Sequence, residues 1–285
     1  MLRGMYSAIS GLKMHQAMLD VTANDIANVN TLGYKGSRTT FTDQLSQTQQ
    51  AATAPGNGTG GRNASQIGLG VQFGSIDNVM GGGALQSTSN VLDLAVQGEG
   101  WFRIKTTGPA TAGDIAVADP AGADAFTRAG NFTRNAEGYL TTQGGAFLLG
   151  TKDGAPAYLR VPDGAQNMTI SASGEVTYVP SGGGPRESAG FLTLATFANE
   201  GGLERASTNL WKVSAASGPE VIGDQNGLPG TAGRGSTVSG VVEMSNVDLA
   251  SEFTELISAQ RGFQANSRVI STSDEMLQEL VNLKR

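Results

Sequence analysis

Both ends of the chain carry apolar residues at the spacing of a helix that packs along a partner helix. Near the N-terminus the pattern advances by alternating steps of three and four residues, and all but one of its positions are apolar. A repeat of 3.5 residues keeps one apolar face toward the partner. The pattern predicts a helix over residues 3–28 that pairs in the manner of a coiled coil. The stripe comprises Leu2, Met5, Ile9, Leu12, Gln16, Leu19, Ala23 and Ile26.

The C-terminal end repeats this spacing and predicts a second helix, from Leu249 to Leu283. Ser245, Asn246 and Asp248 precede it and are candidate N-caps, because their side chains can accept a hydrogen bond from the first helical turn. So long a helix is more typical of coiled coils and bundles than of compact domains. Its stripe comprises Phe253, Leu256, Ile257, Gln260, Phe263, Ile270, Leu277, Leu280 and Val281.

The middle of the chain carries short apolar or alternating runs separated by Gly, Asn, Asp and Pro. Such punctuation is typical of an all-β domain, and the chain contains 41 glycines. Residues 135–138 and 173–175 have the composition of hairpin turns. The predicted fold is therefore α+β, with two long terminal helices around an all-β middle domain. The predicted strands are 71–76, 92–96, 101–104, 126–128, 139–142, 147–149, 158–161, 176–179, 191–197 and 210–213.

Two segments flank this middle and contain little that could form a core. Residues 48–66 have no large apolar side chain, and residues 217–236 are rich in Gly, Pro and Ser. Neither buries enough apolar surface to offset the entropy of ordering its backbone. We predict three regions on this basis. Residues 1–35 and 245–285 form a helical domain, 36–88 and 216–244 are linker or extended, and 89–215 form the β-rich outer domain.

Composition excludes several classes of function. The chain has no cysteine and one histidine, His15, so it cannot build thiolate or multi-histidine metal sites. Its formal net charge of −6 argues against nucleic acid as a partner. The glycine-rich stretches lack the Lys-Ser or Lys-Thr that completes a phosphate-binding loop. We predict no cofactor, metal or small-molecule substrate, and the N-terminus lacks the apolar core of a secretory signal.

Two paired helices at opposite chain ends leave apolar surface exposed, and such a surface usually marks an interface. Contact between two different surfaces of identical subunits builds rings or helical filaments. The alternative is that both helices simply cover the β domain. An enzyme such as a glycosidase would need two converging carboxylates, and a secreted β-domain adhesin would not need the helices. The candidate carboxylates for the enzyme alternative are Asp114, Asp119, Asp124, Asp153, Asp163 and Glu175.

Three blocks of the sequence carry specific motifs. The first runs from Leu19 to Lys35 and contains Asn-Asp-Ile-Ala-Asn, followed by Gly-Tyr-Lys. The second contains Leu92–Arg103 and Phe126–Phe132, and the third runs from Ser245 to Leu277 and contains the Gln-Arg-Gly-Phe-Gln that begins at Gln260. These blocks, which reach both chain ends and much of the middle, are similar to the bacterial flagellar rod and hook protein family and occur in the order that the family uses.

The resemblance implies a structural subunit rather than an enzyme. The C-terminal block most resembles a short hook protein of Gram-positive type, which implies a curved tubular joint that transmits torque from motor to filament. The distal rod subunit of the basal body is the alternative. Implied partners are further copies of the chain, rod proteins, and hook cap and hook–filament junction proteins. The resemblance also implies type III export without a cleaved signal and a location in the flagellar basal body or hook, outside the cell.

The predicted assembly interface lies on the terminal helices. Asn24 and Asn28 are included either as inter-subunit hydrogen-bonding groups or as ordinary C-caps of the first helix, since Asn tolerates left-handed backbone. Tyr34, just beyond, is predicted to be a packing anchor. The full predicted set is Leu2, Met5, Ile9, Leu12, Leu19, Asn24, Ile26, Asn28, Phe253, Leu256, Ile257, Phe263, Ile270 and Leu277.

Overall fold

The computed structural model describes residues 2–56, 60–109, 123–222 and 227–283. Helix α1 spans Leu2–Ala27 and helix α2 spans Leu249–Leu283, so both predicted helices are confirmed. The chain divides into two compact units. The helical unit comprises Met1–Ala27, Ser37–Asn78 and Asp248–Arg285, and the β unit comprises Asn28–Gly36 and Val79–Val247.

The ends of the two helices follow the cap signals in the sequence. Asp248 Oδ1 accepts a hydrogen bond from the Ala250 N–H at 3.0 Å, which satisfies one of the free donors in the first turn of α2. After α1 ends, the Thr31 N–H donates to the Asn28 carbonyl at 3.0 Å and turns the chain. Gly33 then adopts a φ of +64°, which a residue with a side chain rarely adopts.

Two antiparallel ribbons complete the helical unit. Strand β1, Ser37–Asp43, pairs with β4, Val71–Asn78, and β2, Ser46–Gln50, pairs with β3, Ser65–Gly68. The first ribbon packs on α1, where Ser10 Oγ accepts a hydrogen bond from the Val71 N–H. These four strands lie in the stretch that the sequence analysis treated as linker or extended. Only β4 carries a strand signal in its sequence, because the other three are mostly polar.

Antiparallel strands build the β unit. Its largest sheet runs in the order β13-β14-β15-β11-β7-β8-β18-β17, with β9, β10, β12 and β16 paired at its side. Two small sheets pair β19 with β6 and β20 with β5. The strands are β5 Leu85–Ser87, β6 Leu94–Gln97, β7 Trp101–Lys105, β8 Ala125–Thr127, β9 Thr133–Arg134, β10 Leu140–Thr141, β11 Phe147–Lys152, β12 Ala155–Tyr158, β13 Gln166–Ile170, β14 Glu175–Val179, β15 Glu187–Leu192, β16 Leu194–Ala195, β17 Glu204–Arg205, β18 Trp211–Lys212, β19 Ser236–Ser239 and β20 Val241–Glu243.

The apolar runs of the sequence supply the core of this unit. Each predicted run overlaps a strand, and both predicted hairpin turns occur, between β9 and β10 and between β13 and β14. Within the main core cluster, Phe102 and Phe132 pack edge to face, with their ring centroids 5.2 Å apart. Its members include Leu94, Val96, Phe102, Ile104, Phe132, Leu140, Leu148, Leu159, Val176, Leu192 and Leu194. A β-rich middle between two terminal helices is therefore confirmed.

Candidate assembly surface

The two helices pack against each other in antiparallel register along a line of small and polar residues. A Cβ added at Gly11 of α1 would lie 2.6 Å from Nδ2 of Asn266, so the Asn266 side chain lies directly on the α1 backbone there. One turn further along, the imidazole of His15 lies on the backbone of Gly262 in the same way. Rising numbers on α1 match falling numbers on α2. Glycine at both crossing points lets a polar side chain reach the opposing backbone.

The fully buried positions of both helices continue this line. On α1 they are Ala8, Gly11, Thr22 and Asp25, and on α2 they are Ala259 and Ser273. Together with His15, Gly262 and Asn266 they follow one another at steps of three, four or seven residues, and we name this line of contact the small-residue seam. None of its members is a large apolar residue, so the large apolar side chains of the described helices are at most half-buried.

The predicted interface residues of α1 lie immediately beside the seam. Ile9 follows Ala8, Leu12 follows Gly11, and Ile26 follows Asp25, and all three predicted residues are half-buried. Met5 and Leu19 are half-buried as well. Because successive helical residues are turned by about 100°, these side chains lie on a shoulder of α1. The side chain of Leu2 lies outside the described residues, although Leu2 begins the helix.

The predicted interface residues of α2 fall into two groups. Leu256, Ile270 and Leu277 are half-buried at the heptad spacing of the seam. Phe253 and Ile257 are each 50% exposed and Phe263 is 38% exposed, which is unusual for side chains of that size. The second group therefore offers apolar surface that the helical unit itself leaves uncovered.

Six of the exposed apolar residues of α2 form two strips on different faces of the helix. The first strip is Leu249, Phe253 and Ile257, and the second is Val269, Met276 and Leu280. At about 100° per residue, the first strip lies roughly 140° around the helix from the line through Ala259 and Ser273, and the second lies roughly 60° from that line on the other side. Heptad spacing does not identify Leu249, Val269 or Met276, because these residues lie outside the apolar stripe that it predicts.

The two asparagines of the predicted interface lie at the end of α1. Asn24 is exposed and falls in the last turn, while Asn28 is half-buried and directly follows the helix. Asn28 accepts hydrogen bonds from both the N–H and the hydroxyl of Thr31, at 3.0 and 3.1 Å. They close a turn after the helix, and neither Asn24 nor Asn28 has the positive φ on which the C-cap interpretation rests.

Replacing Gly11 with Leu should destabilise the helical unit. The new side chain would collide with Asn266 across the seam, and overpacking of this kind costs about 1–3 kcal/mol. The matched control is Gly4→Leu, because a Cβ at Gly4 meets nothing within 4 Å. That variant should be neutral or slightly stabilising, since Leu favours a helix over Gly by somewhat under ~1 kcal/mol. Thermal unfolding followed by circular dichroism at the helix band compares the two, and equal melting temperatures would contradict this packing.

A buried ion network holds the segment after α1 inside the β unit. Nζ of Lys35 lies 2.6 Å from Oε1 of Glu243 and also donates to the Gly81 carbonyl at 3.0 Å. The same carboxylate oxygen accepts from the Gly83 N–H at 2.9 Å, and Arg128 Nη1 lies 3.6 Å from the other oxygen. Burial lowers the pKa of Lys35, and the Glu243 charge opposes that shift. The predicted packing role of Tyr34 fits this setting, since the Arg205 guanidinium lies 4.7 Å from the centre of its ring.

Two of the carboxylates considered for catalysis hold local structure together. Asp124 accepts hydrogen bonds from the N–H and hydroxyl of Thr106, and Asp163 pairs with Arg134 at 3.3 Å. Asp114 and Asp119 lie outside the described residues. Within the described ranges, no group of three or more His, Asp or Glu side chains could hold a metal ion. Among those same residues, no helix is both long and apolar enough to cross a membrane.

The structure thus combines terminal helices that carry exposed apolar side chains with a β-rich middle. Three family models match the chain along its length. They are the flagella basal body rod protein model over residues 5–35, the flagellar hook protein FlgE/F/G D1 domain over 95–178, and the flagellar basal body rod FlgEFG protein C-terminal model over 238–283.

Full-length relatives agree with these matches. The flagellar basal-body rod protein FlgG of Bacillus subtilis is 47% identical over 285 residues, which cover 100% of both chains. The protein of the same name from Caulobacter vibrioides is 36% identical, with 99% of this chain and 100% of the relative covered. The flagellar hook protein FlgE of Borreliella burgdorferi is 28% identical over a 446-residue alignment. The chain belongs to the flagellar rod and hook protein family, whose members are structural proteins of the flagellum and not enzymes.

Proposed function

We propose that this chain is a subunit of the distal rod of the flagellar basal body. The observation that carries the proposal is its 47% identity, over the full length of both chains, to a relative named as a basal-body rod protein. The named hook relative matches at 28%, and its alignment extends to 446 residues. The C-terminal motifs of the sequence favoured a hook protein, with the distal rod as the alternative. The relatives favour that alternative.

Assembly would proceed through the terminal helices. In our proposal α1 and α2 pair in the manner of a coiled coil and line a tube, while the β unit forms the outer layer. The two exposed strips of α2 support this arrangement, because each subunit could give one strip to each of two neighbours. Contacts between two different surfaces of identical subunits extend into a helical assembly rather than closing a dimer. The shoulder residues Met5, Ile9, Leu12 and Leu19 would complete the interface.

The proposal extends to partners and location. The subunit would bind further copies of itself, other rod proteins at one end of its segment, and hook proteins at the other. We propose export by the flagellar type III apparatus, without a cleaved signal, into the growing basal body. The hook cap and hook–filament junction proteins, which the resemblance also implied, would be neighbours of a hook subunit rather than of a rod subunit.

Deleting the chromosomal gene and imaging the remaining basal bodies tests the assignment. For a distal rod subunit, we expect purified basal bodies with a shortened rod and no hook, because the hook has no base on which to assemble. A complete rod that lacks only its hook would overturn the assignment and restore the hook reading. Complementation with a copy tagged at the exposed Gly182–Gly184 turn locates the subunit directly, and immunogold label should fall on the rod.

A further inference from the structure

Two acidic residues lie on facing helices where α1 ends and α2 begins. The register set by Gly11 with Asn266 and by His15 with Gly262, continued along the seam, brings Asp25 opposite Glu252. Asp25 is fully buried in the last turn of α1, and its Oδ2 accepts a hydrogen bond from the Ser37 N–H at 2.8 Å. Glu252 is half-buried in the first turn of α2.

The charges that act on Glu252 are all of its own sign. Burial raises the pKa of the Glu252 carboxyl to about 7, and the neighbouring charges of Asp25, Glu255 and Asp248 add to the rise. The β1–β4 ribbon also contacts this pair, because the Ser37 backbone N–H donates its hydrogen bond to Asp25. The charged side chains at that end of the ribbon, Arg38 and Asp77, are exposed and lie 4.0 Å from each other.

We propose that Asp25 and Glu252 form an acid-stabilised clasp, in which a proton on Glu252 holds the C-terminal end of α1 against the N-terminal end of α2, and loss of that proton loosens the helix pair. Two carboxylates that share a buried site cannot both ionise without repulsion. Protonation of one leaves a neutral acid beside a single carboxylate. Both residues lie close in sequence to points where the chain passes from one unit to the other, after Ala27 and before Asp248.

The direction of the pH effect follows from the proton balance. In the folded chain Glu252 keeps its proton up to about pH 7, whereas its ordinary value is 4.5. The folded state therefore binds more protons than the unfolded state between those values, so stability falls as the pH rises through that window and is constant above it. Across this pH window, a pKa difference of that size would lower the folding equilibrium constant of the helical unit by at most ~300-fold. Because Glu252 is partly exposed and solvent screens its charge, we expect the constant to fall by about tenfold.

Thermal unfolding of the full chain, followed at the helix band at about pH 5.5 and about pH 8, tests the clasp. The wild-type helices should melt at a lower temperature at the higher pH. Glu252→Gln should remove most of this difference and raise the melting temperature at the higher pH, because a neutral amide replaces a repelling charge. Asp25→Asn should reduce the difference in the same direction. The matched control is Glu279→Gln, an exposed acid on the same helix, which should retain the wild-type dependence.

A second readout does not depend on stability. In the full chain with carbon-13-labelled glutamate, the carboxyl resonance lost in Glu252→Gln should titrate about one pH unit above that of an exposed glutamate, the difference that corresponds to a tenfold effect on folding. The proposal is overturned if that resonance titrates with the others. It is equally overturned if Glu252→Gln and Glu279→Gln show the same dependence of melting temperature on pH.

Discussion

Replacing Glu243 with Ala should cost the β unit about 3–5 kcal/mol, the largest loss of stability that we expect from a single substitution. The substitution leaves the ammonium group of Lys35 buried without its carboxylate, which lies 2.6 Å away in the intact protein. The Gly83 N–H loses its acceptor at the same time. Breaking one side of a buried pair is expensive because the remaining charge keeps its desolvation penalty and loses its compensation.

Chemical denaturation followed by tryptophan fluorescence measures this loss, since Trp101 and Trp211 are both buried in the β unit. Glu243→Gln should fall between wild type and Ala, because its amide oxygen can still accept from Lys35. The matched control is Glu137→Ala, which removes an exposed glutamate from a turn of the same unit and should change stability by less than about 0.5 kcal/mol. A loss for Glu243→Ala no greater than for that control would contradict a stabilising role for the network.

The elements that could be predicted from the sequence are those whose burial requires a periodic pattern of apolar residues. Both helices show heptad spacing, and their ends carry residues whose side chains can replace the missing backbone partners, such as Asp248. The apolar strands of the β unit were predictable for the same reason. Strands β1, β2 and β3 were not, because their residues are mainly polar and half-buried or exposed, and their pairing depends on residues far away in the chain.

The arrangement of the helix surface could be predicted only in part. Apolar spacing correctly identified a one-sided helix, but it does not say which neighbour covers that side. In this fold the seam uses Gly11, Gly262 and Ala259, and the larger side chains stand beside it. The sequence shows these small residues at helical spacing, but an isolated glycine in a helix is ordinarily interpreted as destabilising that helix. Their role becomes apparent only when the opposing side chains, His15 and Asn266, are known.

The pairing of the two carboxylates of the clasp could not be predicted from the sequence either, because it also depends on how the two helices pack. Asp25 and Glu252 are separated by most of the chain, and each occurs where a helix end tolerates a polar residue. An acidic residue in the first turn of a helix is ordinarily explained by the helix dipole, as Glu252 would be. Only the register of the two helices brings the second acid opposite and gives the first a neighbour of like charge.

Placing a charge in the first exposed strip of α2 should abolish assembly while leaving the subunit folded. In the isolated chain Phe253 and Ile257 are half-exposed, so Phe253→Asp and Ile257→Asp should leave the melting temperature of the helices nearly unchanged. In the assembly we propose, a neighbour buries the same positions, and a buried unpaired carboxylate costs several kcal/mol. The concentration needed for polymerisation should therefore rise about 100-fold or more.

Sedimentation of polymer from purified subunits measures this concentration, and rod formation in a complemented deletion strain provides the test in cells. The matched control is Thr272→Asp, which places the same charge at an exposed position of α2 that belongs to neither strip. If Thr272→Asp blocks polymerisation as strongly as Phe253→Asp, then added charge rather than the apolar strip accounts for the effect. If Phe253→Asp and Ile257→Asp both polymerise at the wild-type concentration, the strip is not an interface. The half-exposed aromatic ring of Phe253 would then have no covering partner, and assembly would have to depend on the shoulder of α1.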